Sequence, residues 1–145
     1  MGRAGRCLVA GLLCTAIAGL AGCAPNEQLL LEEFFSASRL RDTTALQTIA
    51  TVVFEPREQG IVRSFTITGA APVRTHDGVS TKDVNVEASV VPGDAHGDVL
   101  GDGLPVQRTL IVTLRRVAAG AGWWDSGRWI VIQVSGPTGR LPQPS

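Results

Sequence analysis

Apolar positions along the chain recur with two different periods, and the period changes near Gly60. Before it the spacing is helical. Leu31, Phe34, Phe35 and Ser38 follow i, i+3, i+4, i+7, flanked by Leu30 and Ala37, while Glu32, Glu33 and Arg39 fall on the other side. That pattern predicts an amphipathic helix with an aromatic, core-facing stripe. Asn26 is placed to cap it, and Glu27 suits the positive end of the helix dipole. The polar face is acidic rather than lysine-rich, which favours packing on a core over lying among lipid headgroups. Asp42 or Thr43 can cap a second helix, in which Leu46, Ile49, Ala50 and Val53 repeat the same spacing before Pro56 closes it.

After Gly60 the pattern alternates. Ile61, Arg63, Phe65 and Ile67 share one face of a first strand, with Ser64, Thr66 and Thr68 on the other, and Gly69 to Pro72 make a turn or bulge. Residues 84–90 alternate without a fault. A third strand spans 106–117, with Arg108 in phase with Val106, Leu110, Val112 and Leu114; a fourth spans 129–134, with Ile130, Ile132 and Val134 in phase. Ser126-Gly127 is the turn site between these last two, since glycine takes positive φ freely. Helices followed by antiparallel strands predict an α+β fold: two N-terminal helices packed on one face of a curved antiparallel sheet of about four strands.

The first 22 residues belong to neither pattern. Arg3 and Arg6 give a basic start, and Cys7 to Leu20 is apolar or small. This core is shorter than the roughly 20 apolar residues of a spanning helix and fits a signal peptide. Its end, Leu20-Ala21-Gly22-Cys23, resembles the lipobox of bacterial lipoproteins, in which a large aliphatic and two small residues precede an obligatory cysteine. The resemblance implies a diacylglycerol on the Cys23 thiol, cleavage just before Cys23 and acylation of the new amino group. Two or three acyl chains hold a protein stably at about 0.8 kcal/mol per buried CH₂, whereas one holds it marginally. The alternatives are a secreted protein with a chance cysteine near the cut, or an uncut buried helix.

The expected organisation is therefore a signal peptide over 1–22, a lipidated tether over 23–26, one α+β domain over 27–135 and a flexible tail over 136–145 with three prolines. Cleavage leaves 123 of the 145 residues, enough for one self-sufficient core. It also removes Cys7 and Cys14, and with Cys23 acylated no disulfide is expected. Losing Arg3 and Arg6 leaves 11 basic residues against 13 acidic ones, a net charge of −2, so no basic patch points to nucleic acid. Lys82 is the single lysine, and the arginine, alanine and glycine bias matches a GC-rich genome.

A phenylalanine-rich helix, the restart from Arg41 to Leu46 and the closing Gly127-Arg128-Trp129-Ile130-Val131-Ile132-Gln133-Val134 together resemble the nuclear transport factor two-like, cone-shaped superfamily. That resemblance implies a cone-shaped sheet over most of residues 27–134. The family's third helix has no room between Pro72 and Lys82, so a reduced cone or a cystatin-like helix-on-sheet is the matching expectation.

Candidate chemistry is sparse. The chain contains no metalloprotease helix pattern, nucleophile elbow, phosphate-cradling loop or haem-attachment motif, and no cofactor or metal is expected. His76 and His96 sit in polar, Gly/Asp-rich segments. Asp94, Asp98 and Asp102 recur every four residues in oxygen-rich loop sequence, which can hold calcium but fails the EF-hand spacing and equally suits an exposed connection. Trp123, Trp124 and Trp129 cluster at the last turn, either as a partner surface or as a plug at one end of the core. Arg63 and Arg108, in phase with apolar neighbours, would form a cationic floor in an apolar cavity. A speculative ligand pocket is then Arg63, Phe65, Arg108 and Trp129, with both arginines alternatively snorkelling from strand ends.

The functional expectation is a non-catalytic lipoprotein of the bacterial cell envelope. Its domain would bind a partner protein or a small hydrophobic or anionic ligand, and Cys23 would be the lipidation site. In a two-membrane cell, Ala24 after the cysteine resembles outer-membrane sorting, on the periplasmic side. The alternatives are an isomerase-like small-molecule enzyme of the cone-shaped superfamily and a purely structural envelope lipoprotein. Isomerase chemistry wants an acid or histidine inside an apolar cavity, whereas Glu87 falls on the outward phase and Asp83 at a strand start.

Overall fold

The computed structural model describes residues 25–118 and 127–136. Helix α1 (Pro25–Leu40) buries Leu31, Phe34, Phe35, Ala37 and Ser38, the face that the helical spacing marks as inward. It starts two residues earlier than a cap at Asn26 would allow. Pro25 opens it, because a missing N–H costs nothing in the first turn, and Asn26 lies inside the helix. The end of α1 is closed by two backbone bonds, Arg41 N–H to the Ser38 carbonyl and Asp42 N–H to the Ala37 carbonyl, around Arg41 at φ +54°. Asp42 then caps α2 (Thr43–Ile49) by accepting the Ala45 N–H at 3.0 Å.

Helix α2 is shorter than its apolar spacing suggests. Leu46 and Ile49 are buried, but Ala50 is extended and bridges Val131, with Thr51 N–H donating to the Val131 carbonyl. Val53 therefore lies outside the helix and is exposed, and Phe54 takes the core position instead. The buried Ser38 hydroxyl accepts the Phe54 N–H at 3.1 Å, fixing this connection to α1. Pro56 does not simply end a helix. It sits in the first turn of the one-turn α3 (Pro56–Gln59).

The chain is α+β, with a small antiparallel sheet. Strands β1 (Ile61–Ala70), β2 (Arg74–His76), β3 (Val79–Val91), β4 (Val106–Val117) and β5 (Arg128–Ser135) lie in the order β1-β3-β4-β5, with β2 paired to the start of β3. Strand β2 has no apolar residue and so lies outside the alternating pattern. It is joined to β3 by the two-residue loop Asp77-Gly78, both at positive φ, which matches the twist of a tight hairpin.

Partners across an antiparallel pair face the same side, so the register assigns the faces. Val84, Val86, Ala88 and Val90 of β3 oppose Val112, Leu110, Arg108 and Val106 of β4, and on the other edge Ala88 and Val86 oppose Phe65 and Ile67 of β1. This inward face meets α1 and α2, and its core holds Leu31, Phe34, Phe35, Leu46, Ile49 and Phe54. On the opposite face the row of Thr66, Glu87 and Thr109 is exposed, whereas Ile61, Val91 and Ile130 are buried.

Two bulges overturn the expected phases. The register slips between Val62 and Ser64, so Arg63 is the extra residue, and Ile61, opposite Val91, faces the other side from Phe65 and Ile67. It slips again between Thr113 and Leu114 of β4, leaving Ile132 unmatched in β5. Trp129, Val131 and Val134 therefore face inward while Ile130 does not, so Ile130, Ile132 and Val134 are not in one phase.

Candidate functional site

A charged pair inside the inward layer joins α1 to the sheet. Glu27 lies four residues before Leu31 and so continues the buried stripe of α1 by one turn. Lys82 lies two residues before Val84, opposite Leu114, and so continues the inward phase of β3. The Lys82 ammonium donates to the Glu27 carboxylate, with only 10% and 7% of the two side chains exposed. Its Nζ also stands 4.3 Å from the centroid of the Trp129 ring, which faces inward from the second position of β5. The ring's negative face thus shares the charge that Glu27 neutralises. Among the described residues, no buried side-chain nitrogen or oxygen lacks a hydrogen-bond partner.

Both members were legible as positions but not as a pair. Each is an ionisable residue on the apolar phase of its own element, and they carry opposite charges. That coincidence is the signal which reading each element separately misses.

The four residues of the expected ligand pocket do not share one environment. Phe65 and Arg108 lie in one row across Ala88 on the inward face, Phe65 half-buried with its ring 5.4 Å from Phe35, and Arg108 half-buried. Trp129 belongs to the Lys82 end of the sheet. Arg63 is exposed at its bulge, which removes it from the phase of Phe65. A paired-arginine floor therefore loses one of its two members, for the geometric reason that an extra residue reverses the alternation.

His76 ends β2 and is exposed beside Asp77 at 3.2 Å, while His96 lies in the connection after β3; the two histidines belong to opposite ends of that strand. Asp83 faces outward and is engaged by Arg74 at 2.6 Å and by the Thr113 hydroxyl at 2.8 Å. The Asp94 carboxylate accepts the Asp98 N–H at 2.9 Å and the His96 N–H at 2.7 Å. The Asp98 amide holds the Asp94 carboxyl below its ordinary value of 3.8, against an opposing push from desolvation, with the His96 amide and charge adding to the lowering. Gly97, at φ +86°, lets this loop approach the end of α1, since a Cβ there would come within 2.1 Å of the Arg39 carbonyl oxygen.

A lowered folded-state value stabilises the loop at pH above the ordinary value, and that contribution is lost as pH falls through the folded one. The His96 and Asp98 amide resonances should accordingly titrate together with a midpoint below pH 3.8. A midpoint at or above 3.8 in a two-dimensional NMR titration would contradict the bonding.

Among the described residues, no group of three or more His, Cys, Asp or Glu side chains comes together to hold a metal ion. No described helix is long and apolar enough to cross a membrane. The expectations for residues 1–24, for Trp123, Trp124 and Ser126 and for the tail from 137 onward lie outside the described residues. Compared with known proteins, the chain matches no protein-family model, no curated protein and no solved structure.

Proposed function

We propose that this protein is an acyl-anchored lipoprotein of the bacterial cell envelope whose small α+β domain is a non-catalytic binding module beside the membrane. The observation that carries the reading is Leu20-Ala21-Gly22-Cys23 at the end of a short apolar leader with a basic start. In a two-membrane cell the reading places it on the periplasmic side of the outer membrane. Its two N-terminal helices and antiparallel sheet form a reduced cone or cystatin-like body. Its guest is a partner protein or a small hydrophobic or anionic ligand, approached through Phe65 and Arg108 on the inward face.

The non-catalytic reading is favoured over an isomerase-like enzyme by the state of the carboxylates. The buried one, Glu27, is bonded to Lys82 rather than presented to a substrate, and Asp83 and Glu87 face outward. Isomerase chemistry of the cone-shaped kind needs an acid or histidine facing an apolar cavity.

Cys23→Ala should move the protein from the membrane pellet to the soluble fraction. One buried acyl chain holds marginally and two or three hold stably, so removing all of them should release most of the protein. A variant that sediments as fully as the parent would refute the anchor.

A further inference from the structure

The buried pair fixes which end of the domain lies nearest Cys23. Glu27 stands at the start of α1 and is bonded to Lys82, near the start of β3. The other end of α1 meets the connection after β3, where Arg39 Nε donates to the Gly97 carbonyl at 3.4 Å. Helix α1 therefore runs in the same direction as β3, and its first residue, Pro25, is two positions from Cys23, at most about 7 Å of extended chain.

The end of the sheet beside that start has a distinct surface. The β2–β3 hairpin and the residue before it expose Val79 at 45% and Val73 at 53%. The last turns of β4 and the first of β5 expose Arg116 and Arg128, and neither is paired with an acid among the described residues. Of the acids at this end, Asp83 is paired with Arg74, and Asp77 stands exposed at the hairpin tip 3.2 Å from His76. The far end carries both signs, with Glu58, Asp94, Asp98 and Asp102 in the connections before β1 and after β3 set against Arg39, Arg57 and Arg63. What sets the hairpin end apart is its nearness to Cys23 together with Arg116 and Arg128, since exposed apolar side chains such as Leu40 and Leu104 occur at the far end as well.

We propose that the hairpin end of the sheet, presenting Val73, Val79, Arg116 and Arg128, rests on the anionic phospholipid headgroups of the leaflet that holds the anchor. This orientation rests on the acyl-anchor reading. With about two residues of tether the domain cannot leave the surface, so docking is a choice among orientations. Headgroup charge acts within a Debye length, about 10 Å at 0.1 M salt, and each arginine at an anionic surface is worth about a five-fold change in the docked population. The far end, with the connection after β3, then points towards the aqueous space.

The test uses the acylated protein in vesicles, because an acylated Cys23 leaves an introduced cysteine as the only thiol once the leader is gone. Nitroxide labels on Val79→Cys and, separately, Asp98→Cys report access to a water-soluble nickel chelate. Vesicles rich in phosphatidylglycerol should shield the label at 79 and leave the one at 98 exposed. Zwitterionic vesicles, 1 M salt or the added pair Arg116→Glu and Arg128→Glu should remove the shielding while the protein still sediments. Equal access at both positions in anionic vesicles, or shielding untouched by salt and by the charge reversals, would overturn the orientation alone. A protein that carries no acyl mass and does not sediment would overturn the anchor reading and this one with it.

Discussion

Lys82→Ala should lower the unfolding free energy by about 3–5 kcal/mol, because it strands the Glu27 carboxylate in the layer between α1 and the sheet. The loss is not the worth of the pair. Bringing both charges out of water costs about as much as their attraction returns, so Lys82→Met combined with Glu27→Leu should be close to neutral or stabilising. The double variant would keep the contact with Trp129 as an apolar one. Urea unfolding of the two single variants and the double one measures this directly. If Lys82→Ala costs less than about 1 kcal/mol, the pair behaves as a solvated surface bridge and the account of this end of the fold is wrong.

Phe34→Ala should cost about 3–5 kcal/mol as well, through lost burial and the cavity left behind. Its ring is fully buried, 5.3 Å from Phe35, which in turn meets Phe54 and Phe65 at 5.4 Å each. This aromatic chain links α1, the connection after α2 and β1. Leu40→Ala, at a side chain 70% exposed on the same helix, should change stability by no more than about 0.5 kcal/mol. With total stabilities of about 5–15 kcal/mol, Phe34→Ala takes a large share of what holds the domain folded. An unchanged urea midpoint would mean that α1 turns a different face to the sheet.

The sequence makes the local periods plain and hides what interrupts them. The stripe through Leu31, Phe34, Phe35 and Ser38 is readable because a helix on a sheet must bury one face. The α+β class follows from the switch to alternation after Gly60. Bulges leave no such mark: an extra residue at Arg63 or Ile132 reverses every side chain beyond it, and only the partner strand reveals the slip. The short β2 is different, since Asp77-Gly78 is a strong tight-hairpin signal lying beside a three-residue strand, Arg74 to His76, with no apolar alternation to mark it.

The candidate site shows the same division. The inward phase of Arg108 is legible from β4 alone, because that strand is regular from Val106 to Thr113. The buried Glu27–Lys82 pair is not, since it joins residues 55 apart in sequence. Its effect is to lock the first turn of α1, the part of the domain nearest Cys23, to the sheet. A domain held so close to its proposed lipid stays within reach of the surface in every orientation.

The most direct test of the whole account is the intact mass of the protein extracted from its own membranes. A chain beginning at Cys23 and heavier than its sequence by a diacylglycerol and an amide-linked acyl group is the predicted result. A chain that still begins at Met1, with Cys23 a free thiol, would contradict it.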